Sequence, residues 1–589
     1  MSFVLDRSAS GLMVAVRPGA ADASEPVESV LAKVPLFAAA GRDVIERMAE
    51  CADTVRLEAG EWLFRAGDPA DALYVVSSGR LEVLIDGSPA STLRRGDVIG
   101  ELALLTSTPR SASARARRDT ELVRLAGDEL TALLRDSVDA SLALNRALSQ
   151  QLQESRAREE AAIRLPGTIA ILPLAGGLPL QPIRDGLLRE LAPHERVVEF
   201  DGGGAADDAE RARLLDALER DHDQILLVAR EPDPADPWTA FCLRQADRVV
   251  ALAGPGTRLE AQLADMLRGR CDLAHTARPA PGLLDALEPQ RRYLVADAAG
   301  VARMARRLSG RSVGVVLSGG GARGAAHLGV LEELTAAGVE IDRVGGASMG
   351  ALVGALFAAG LSIDAISARM TAELVERNPM NDFTIPLVAL TRGRKGEAMV
   401  RRLTGELLVE DLERDYFSVS SDLIANEAVE HRSGPLAEAV GASISIPGFV
   451  PPVAIGDRLL VDGGVLDNLP VARMPRDEGP VIAVNVSASS APPPPPSRWR
   501  RPRTRKMAAA VRRVVTGVEE PRLGFAQSLM RSVVLGAQDA SAAATYADLF
   551  ISPDVSGVDL LDWKAMPAMR EAGHAAARKA LHGGSVELL

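Results

Sequence analysis

The spacing of apolar and polar residues divides the chain into segments with different periodicities. In residues 28–127, short alternating runs are separated by glycine turns, which predicts a small β-roll. In residues 165–308, apolar runs alternate with helical stretches, which predicts an α/β unit built on a parallel sheet. Residues 309–589 continue with the same alternation. The pattern therefore predicts a multidomain α/β protein with an N-terminal β-roll.

Two further segments precede or connect these units. Residues 1–27 are predicted to be a flexible tail, and residues 128–164 a connecting helix with one stripe of leucine and valine. A coiled coil that forms a homodimer is the alternative for that helix. Within the last unit, an insert at residues 490–513 combines five consecutive prolines with the basic run Arg498–Arg513.

Composition narrows the class of protein. The 589 residues are 47% hydrophobic and 25% charged, as in globular proteins, and the net charge of −12 argues against nucleic-acid binding. The three cysteines are far apart, which fits neither a disulfide framework nor a metal cluster and favours a cytoplasmic location. We expect no signal peptide and no membrane span, because no apolar run reaches about 18 residues.

Polar residues at one end of the β-roll suggest an anion site. A short helix after Gly100 would aim backbone N–H groups at an anion, Arg110 could pair with a phosphate, and Glu101 could accept a sugar hydroxyl. A surface ion pair between Glu101 and Arg110 is the alternative. The segment resembles the phosphate-binding cassette of cyclic-nucleotide-binding domains. The resemblance implies Glu101 on the ribose 2′-hydroxyl and Arg110, with Ser111, on the cyclic phosphate of cAMP or cGMP. A ligand-free docking module is the other outcome.

The α/β unit of residues 165–308 carries no catalytic constellation that we recognise. Its Ala175-Gly176-Gly177 turn follows the first strand, but Gly-Lys-Ser/Thr does not come after it, so the turn is not a P-loop. We expect a Rossmann-like α/β fold that acts as a structural spacer or relay.

Two turns in residues 311–350 suggest catalytic chemistry. The apolar strand Val313–Leu317 ends in the glycine cluster Gly319–Gly321, and a second strand ends in Gly346-Ala347-Ser348-Met349-Gly350. In a G-x-S-x-G turn the glycines relieve crowding and expose the serine side chain. We expect Ser348 to be a nucleophile and the N–H groups of Gly320 and Gly321 to hold an oxyanion. A small-residue turn that lets a helix and a strand pack closely is the alternative.

The same glycines also fit the dinucleotide fingerprint G-x-G-x-x-G, at Gly319, Gly321 and Gly324. That interpretation requires an acidic residue at the end of the next strand. Asp342 lies before that strand, and the strand runs into the serine turn, so we set the dinucleotide interpretation aside.

A nucleophilic serine needs a base, and Asp462 is the best candidate. It ends the apolar run Leu459–Val461 and precedes a Gly-Gly turn. Its carboxylate could take the serine proton directly in a Ser–Asp dyad. A plain Asp-Gly turn is the alternative.

Histidine is the usual base of serine hydrolases, but the histidines here are poorly placed. Those after the serine, His431, His574 and His582, lie in no convincing strand-end turn. His327 follows the glycine cluster and is either a third catalytic group or a packed helix residue. We favour the packed residue.

Three ordered motifs, SGGGARG, GASMG and VDGG, resemble those of the patatin family of lipid acyl hydrolases. The resemblance covers residues 311–480 and implies Ser348 as nucleophile and Asp462 as base, with Gly319–Gly321 and Arg323 around the oxyanion. The order of domains resembles that of neuropathy-target-esterase-type phospholipases. This implies a serine esterase acting on phospholipids or lysophospholipids without a catalytic cofactor or metal. The rival hypothesis is a cyclic-nucleotide-responsive binding or scaffold protein with a vestigial hydrolase domain.

Two surface segments suggest contacts outside the active site. The basic segment Arg498–Arg513 could attract anionic lipid at the inner membrane face, or it is a solvated loop. The turn Gly393–Gly396 is either a mobile lid or a plain surface turn. The expected location is cytoplasmic, with membrane contact that is peripheral at most.

Overall fold

The computed structural model describes residues 4–7, 13–16, 26–34, 37, 42–85, 88–106, 108–129, 132, 167–280, 282–379, 381–385, 388–487 and 540–582. The chain divides into two units, Met1–Ala305 and Arg306–Leu589. Of the connecting helix predicted over residues 128–164, only 128, 129 and 132 are described, and they are helical. The consecutive prolines and the basic run Arg498–Arg513 lie outside the described residues.

The first unit contains a β-roll followed by an α/β sheet. Its elements are β1 (Val4–Arg7), β2 (Met13–Val16), α1 (Val27–Ala32), α2 (Arg42–Glu50), β3 (Asp53–Leu57), β4 (Trp62–Phe64), β5 (Ala72–Ser78), β6 (Leu81–Ile85), β7 (Ser88–Leu93), β8 (Val98–Ile99), α3 (Glu101–Thr106), β9 (Ser113–Ala116), β10 (Thr120–Ala126), β11 (Thr168–Pro173), α4 (Leu180–Leu191), β12 (Val197–Phe200), α5 (Asp208–Asp221), β13 (Gln224–Val228), α6 (Pro237–Gln245), β14 (Arg248–Ala253), α7 (Ala261–Leu267), β15 (Cys271–His275), α8 (Leu283–Leu287), β16 (Arg292–Leu294) and α9 (Ala298–Leu308).

Strands β3 to β10 form the β-roll that the sequence predicts. They make two four-stranded sheets, ordered β3-β10-β5-β8 and β4-β9-β6-β7, in which every pair is antiparallel. Val75 of β5 and Val123 of β10 share one hydrophobic core with Leu31 of α1 and Met48 of α2. The two N-terminal helices therefore cover one face of the roll.

Strands β11 to β16 form the predicted parallel sheet, but in a different order from the one expected. The order is β16-β15-β14-β11-β13-β12. The Rossmann fold places its strands in the order 3-2-1-4-5-6. Here the third strand, β13, pairs with both β11 and β12 and so separates the first two strands. The expectation of a Rossmann-like spacer was therefore correct for the α/β class and wrong for the strand order.

The expectation of a flexible tail over residues 1–27 is wrong for β1 and β2. These strands pair with each other as an antiparallel hairpin, and Leu5 of β1 lies opposite Glu199 of β12. Without the hairpin, β12 would be an edge strand with unpaired N–H and C=O groups. The sequence signal was present, because two short apolar runs flank Ser-Ala-Ser-Gly at residues 8–11.

The second unit is an α/β structure built on one sheet. Its elements are β17 (Val313–Leu317), α10 (Ala326–Ala336), β18 (Ile341–Ala347), α11 (Met349–Ala358), α12 (Ile363–Met370), a π-helical turn (Thr371–Glu376), α13 (Arg394–Thr404), β19 (Asp415–Asp422), β20 (Glu427–His431), α14 (Leu436–Ser443), β21 (Val453–Ile455), β22 (Arg458–Asp462), β23 (Val481–Val484), α15 (Ala540–Tyr546), β24 (Leu549–Ile551) and α16 (Met566–His582).

One mixed sheet organises the second unit. Its order is β21-β22-β19-β18-β17-β23-β24, with β20 paired to β19. The strands from β19 to β24 along this order are parallel, and β20 and β22 are antiparallel to β19. Every residue of β17 and β18 is buried, which explains why β17 and residues 344–347 of β18 are apolar or small. Asp342, which was expected before the strand, is the second residue of β18, and its buried carboxylate pairs with Arg306. Their carboxyl ends carry the glycine cluster and the serine turn at one edge of the sheet.

Helices α10 and α16 cross so closely that a glycine is required at the contact. A Cβ atom built on Gly329 would lie 2.0 Å from the carbonyl oxygen of Arg570 and 2.7 Å from the amide nitrogen of His574. Both neighbours are backbone atoms, which cannot move aside without shifting a whole helix.

We therefore expect Gly329→Ala to lower the free energy of unfolding of the second unit by about 1–3 kcal/mol, the usual cost of overpacking. Urea unfolding followed by circular dichroism measures the effect. Gly441→Ala is the matched control, because this helical glycine has no atom within 4 Å of its built Cβ. Gly441→Ala should cost nothing and gain up to about 1 kcal/mol of helix propensity. Equal stabilities of the two variants would contradict the close crossing.

Candidate active site

The serine turn between β18 and α11 exposes Ser348 in a strained conformation. Its φ is 52° and its ψ is −122°, a combination that non-glycine residues rarely adopt. Gly346 and Gly350 make the turn possible, because a Cβ at either position would lie 2.7 Å or 2.2 Å from the carbonyl oxygen of Leu317. The G-x-S-x-G spacing thus follows from the packing of the turn against β17.

Ser348 and Asp462 lie in direct contact because of the register of β19. Ala347 of β18 pairs with Val419 of β19, and the next residue, Ser420, pairs with Asp462 of β22. The hydroxyl of Ser348 donates a hydrogen bond of 2.6 Å to Oδ2 of Asp462. The two residues predicted as a dyad are therefore brought together across one intervening strand.

The Asp462 carboxyl is buried and held from its other side. Only 4% of the residue is exposed, and Oδ1 accepts a hydrogen bond of 2.8 Å from the amide of Gly464. Burial raises the pKa of Asp462 to about 6, against the opposing effect of the hydrogen bonds from Ser348 and Gly464. The group is ionised at neutral pH and has a proton affinity well above that of an ordinary aspartate, which suits a general base.

Ser443, which the sequence analysis did not single out as a site residue, supports the serine turn. Its Oγ accepts a hydrogen bond of 2.9 Å from the amide of Ser348 and donates one of 2.6 Å to the carbonyl of Val419. The hydroxyl therefore ties the nucleophile's backbone to β19. A buried serine at the end of a helix carries no distinctive sequence signal, so only the tertiary contact identifies it.

The glycine cluster lies against the serine. A Cβ on Gly319 would be 2.9 Å from Cβ of Ser348 and 2.4 Å from Oδ1 of Asn468, and the amide of Gly319 donates to the Asn468 carbonyl at 3.1 Å. Among the described residues, no hydrogen-bond acceptor is found for the amides of Gly320 and Gly321. These two N–H groups can serve as donors to an oxyanion next to Ser348.

Arg323 lies at the pocket, but it is partly engaged elsewhere. Its Nε donates a hydrogen bond of 2.8 Å to the carbonyl of Val558, and burial lowers its pKa. The guanidinium is therefore anchored to the loop that precedes α16. Arg323 contributes to the pocket wall through the rest of its side chain.

His327 is a packed helix residue that holds the glycine cluster. It is fully buried, and its Nε2 lies 2.8 Å from the Ser318 carbonyl, which can only accept. Burial lowers the pKa of His327 to about 4, so the ring is neutral at pH 7 and Nε2 carries the proton. Of the histidines that follow the serine in the chain, His431 contacts Ser420 and His574 contacts Glu333.

A largely apolar pocket opens beside the serine. It encloses about 900 Å³ of empty space, including open solvent at its mouth, and its lining includes Ser348, Asp462 and the glycine cluster. The apolar part of the lining is formed by Leu352, Leu374, Met399, Ile444, Ile446 and Trp563. Such a lining suits a hydrocarbon chain whose ester carbonyl lies beside Ser348.

The predicted nucleotide cassette is a separate site in the first unit. The Arg110 side chain is 2% exposed, donates to the carbonyls of Ala72 at 2.7 Å and Gly100 at 3.0 Å, and lies 4.4 Å from the centre of the Phe64 ring. It is thus already engaged by backbone carbonyls rather than pointing into open solvent.

Glu101 and Ser111 have different environments within that cassette. Glu101 is buried, and burial raises its pKa although the charge of Arg110 acts in the opposite direction. Ser111 is exposed. The surface ion pair considered from the sequence is excluded by the burial of both Glu101 and Arg110.

The described part of the chain contains no group of three or more His, Cys, Asp or Glu side chains arranged to hold a metal ion. No helix within the described ranges is long and apolar enough to cross a bilayer.

Two family models match this chain. Residues 315–474 match the model described as patatin-like phospholipase, a range that contains both Ser348 and Asp462. Residues 54–137 match the cyclic nucleotide-binding domain model, a range that contains Glu101 and Arg110.

Curated relatives resemble the chain over most of its length. An uncharacterized NTE family protein of Mycobacterium tuberculosis is 35% identical over 568 residues, which cover 94% of this chain and 96% of the relative. Patatin-like phospholipase domain-containing protein 6 of Homo sapiens is 30% identical over 78% of this chain and 39% of its own length. Neuropathy target esterase sws of Drosophila grimshawi is 28% identical over 71% of this chain and 34% of its own length.

The raised pKa of Asp462 predicts how its replacement changes stability. The folded pKa of about 6 exceeds the ordinary value of 3.8, so above pH 6 the buried carboxylate destabilises the fold, and this cost disappears as the pH falls below 6. We expect Asp462→Asn to be more stable than wild type at pH 8 by up to about 3 kcal/mol, with the difference vanishing near pH 4.

Urea unfolding at several pH values measures this difference. Asp422→Asn is the control of opposite sign, because backbone N–H groups of Ile424 and Leu459 hold the pKa of Asp422 below its usual value. Asp422→Asn should be less stable than wild type at pH 8. A destabilised Asp462→Asn at pH 8 would show that the carboxylate form is the one that the fold favours.

Proposed function

Because the chain belongs to the NTE family and carries a patatin-like phospholipase domain and a cyclic nucleotide-binding domain, we propose that it is a serine esterase that hydrolyses fatty-acyl esters of phospholipids or lysophospholipids. The observation that carries the proposal is the hydrogen bond of 2.6 Å between Ser348 and Asp462 in the lining of an apolar pocket. The family supports lipid ester hydrolysis in general, and the pocket supports an acyl substrate.

In the proposed mechanism, Ser348 Oγ attacks the ester carbonyl carbon while its proton passes to Oδ2 of Asp462. The carbonyl oxygen becomes an oxyanion that accepts hydrogen bonds from the amides of Gly320 and Gly321. When the tetrahedral intermediate collapses, the C–O bond to the glycerol breaks and the leaving alkoxide takes the proton from Asp462. An acyl-serine remains.

The second half of the reaction uses the same groups in the reverse order. A water molecule gives its proton to Asp462 and attacks the acyl carbonyl, and the oxyanion again faces Gly320 and Gly321. Collapse then breaks the bond to Ser348, whose oxygen recovers the proton from Asp462, and the free fatty acid leaves. Because Asp462 is the only base in this scheme, no histidine, metal or cofactor takes part in the proposed chemistry.

The rival function is a cyclic-nucleotide-responsive scaffold with a vestigial hydrolase domain. An inactive descendant has no need of a strained serine, a buried carboxylate and two unused amide donors in one place. Each of these features costs folding free energy. Their joint presence favours an active enzyme.

The proposal extends to regulation and location. cAMP or cGMP would bind at Glu101 and Arg110, as the cyclic nucleotide-binding family model supports. The enzyme would act in the cytoplasm on lipid at the inner membrane face. Pairing of two chains through residues 128–164 and attraction of the basic run Arg498–Arg513 to anionic lipid remain parts of the proposal.

A fluorophosphonate probe tests the nucleophile, because it forms a covalent bond only with an activated serine. We expect labelling of wild type, none of Ser348→Ala, and a loss of at least about 100-fold in rate for Asp462→Asn. Ser487→Ala is the matched control, since Ser487 lines the same pocket but its hydroxyl donates to Asn485 rather than to Asp462, and the change should leave labelling intact. Folded wild-type protein that takes no label would favour the scaffold.

The dyad also predicts a pH profile and the effect of a histidine variant. With p-nitrophenyl butyrate as a soluble substrate, kcat/KM should fall as the pH drops below about 6, where Asp462 becomes protonated. His327→Asn should keep much of the activity, because the hydrogen-bond partner of the His327 ring among the described residues is the Ser318 carbonyl rather than Ser348 or Asp462. An inactive His327→Asn together with an active Asp462→Asn would overturn the dyad.

Calorimetry with cAMP and cGMP tests the regulatory site. We expect binding heat from at least one nucleotide with wild type and none with Arg110→Ala, because the guanidinium would be the main partner of the cyclic phosphate. Arg115→Ala is the control, since Arg115 pairs with Glu82 on a neighbouring strand of the roll. If wild type gives no binding heat with either nucleotide, the cyclic nucleotide-binding domain is a docking module that binds no ligand.

A further inference from the structure

Three large apolar side chains stand out from the surface of the second unit, in the turn between the π-helical turn and α13. Phe383 is 64% exposed, Ile385 is 77% exposed and Val388 is 72% exposed. Exposed apolar groups that cluster in this way mark an interaction surface more often than chance exposure does.

The turn that carries these side chains is held in place by its backbone. Thr384 donates to the Leu390 carbonyl at 3.0 Å, and Arg392 donates to the Asp382 carbonyl at 3.0 Å. Leu390 in turn donates to the Gly448 carbonyl at 2.9 Å. The apolar side chains are therefore presented to solvent by an anchored turn.

Basic side chains adjoin the apolar ones directly. Ile385 and Val388 line the same shallow depression as Arg392 and Arg394. Arg394 also lines a second depression, whose other basic residues are Lys395, Arg377 and Arg402. The apolar side chains thus lie at the margin of a continuous basic surface.

Part of this positive charge is not neutralised by the protein. Glu373 forms ion pairs with Arg377 and Arg402. Arg392, Arg394 and Lys395 have no carboxylate within ion-pair distance among the described residues, and the nearest polar partner of the Lys395 ammonium is the neutral Asn381 side chain. In a chain with a net charge of −12, this is a local excess of positive charge.

The basic surface also borders the catalytic pocket. Along α13, Lys395 and Ala398 line the basic depression while Met399 lines the apolar pocket beside Ser348. The π-helical turn also borders both surfaces. Leu374 of the turn lines the apolar pocket, and Arg377, just after the turn, lines the basic depression. The basic depression and the apolar pocket therefore share two structural elements, α13 and the π-helical turn.

We propose that Phe383, Ile385, Val388, Arg392, Arg394 and Lys395, here called the docking lip, seat the enzyme on an anionic lipid bilayer. The apolar side chains would enter the boundary between headgroups and acyl chains, and the cations would contact lipid phosphates. The charge pattern favours a bilayer over a protein partner. Exposed apolar side chains that lie next to unpaired cations match the acyl chains of a bilayer and the negatively charged headgroups above them. This inference rests on the proposed lipid substrate, which would then enter a pocket next to the membrane.

Vesicle sedimentation tests the docking lip without any dependence on catalysis. The full chain carrying Ser348→Ala is mixed with vesicles of phosphatidylcholine alone, or of phosphatidylcholine with one third phosphatidylglycerol. We expect binding to the anionic vesicles, weaker binding to the neutral ones, and loss of the difference at high salt. Arg392→Gln with Arg394→Gln should reduce binding to anionic vesicles by about 25-fold, at about fivefold per basic residue.

A second pair of variants tests the apolar side chains. Ile385→Ser with Val388→Ser should weaken binding to both kinds of vesicle by at least about tenfold. The matched control is Leu423→Ser with Ile424→Ser, because these residues are 51% and 68% exposed in the loop after β19 and are not part of the docking lip. The control should bind as the parent protein does.

Three outcomes would overturn the docking lip: no sedimentation of the parent protein, equal binding to neutral and anionic vesicles, or lip variants that bind as the control does. Turnover of p-nitrophenyl butyrate by the same variants with Ser348 restored separates this failure from failure of the proposed function. A wild-type enzyme that cleaves the soluble ester but does not bind vesicles contradicts the docking lip alone. A wild-type enzyme that cleaves neither the ester nor phospholipid contradicts the proposed function.

Discussion

The proposed active site depends on the pairing register of one strand. β19 pairs in parallel with β18 and antiparallel with β22, so that consecutive residues of β19, Val419 and Ser420, lie opposite Ala347 and Asp462. The hydrogen bond from Ser348 to Asp462 exists only in this register. A slip of one residue would turn every side chain of the strand to the opposite face of the sheet, and the dyad would be lost together with the core.

The buried polar groups next to Ser348 and Asp462 lower the stability of the fold and favour the reactivity of the site. Burial makes the Asp462 carboxylate a stronger base, and it keeps His327 neutral, with Nε2 donating to the carbonyl of Ser318 just before the glycine cluster. Ser443 satisfies the amide of Ser348, which would otherwise be an unpaired donor at a strained turn. The surrounding apolar layers of the sheet compensate these costs, as expected of a site built on rigid elements.

Local patterns were sufficient for much of the architecture. Period-two alternation and glycine turns predicted the β-roll, and the two glycine-rich turns after apolar strands predicted the glycine cluster beside the serine turn. The role of the glycine amides as oxyanion donors stays a prediction. Local patterns failed where strand pairing depends on partners that are distant in the sequence. A local signal existed for the hairpin of Val4–Arg7 and Met13–Val16 but not for its pairing with the edge of β12, and no local signal specifies that β13 lies between β11 and β12.

The sequence by itself determined the chemistry that is available: a serine in G-x-S-x-G, a glycine cluster after a strand, and an aspartate that ends an apolar run, because each motif serves a local backbone need. Only the tertiary structure decided which groups meet. Sheet register brings Asp462 to Ser348 across more than a hundred residues, and packing assigns Ser443 and His327 to supporting positions. The same holds for the docking lip, whose apolar and basic side chains become one surface only when the turn is anchored beside α13.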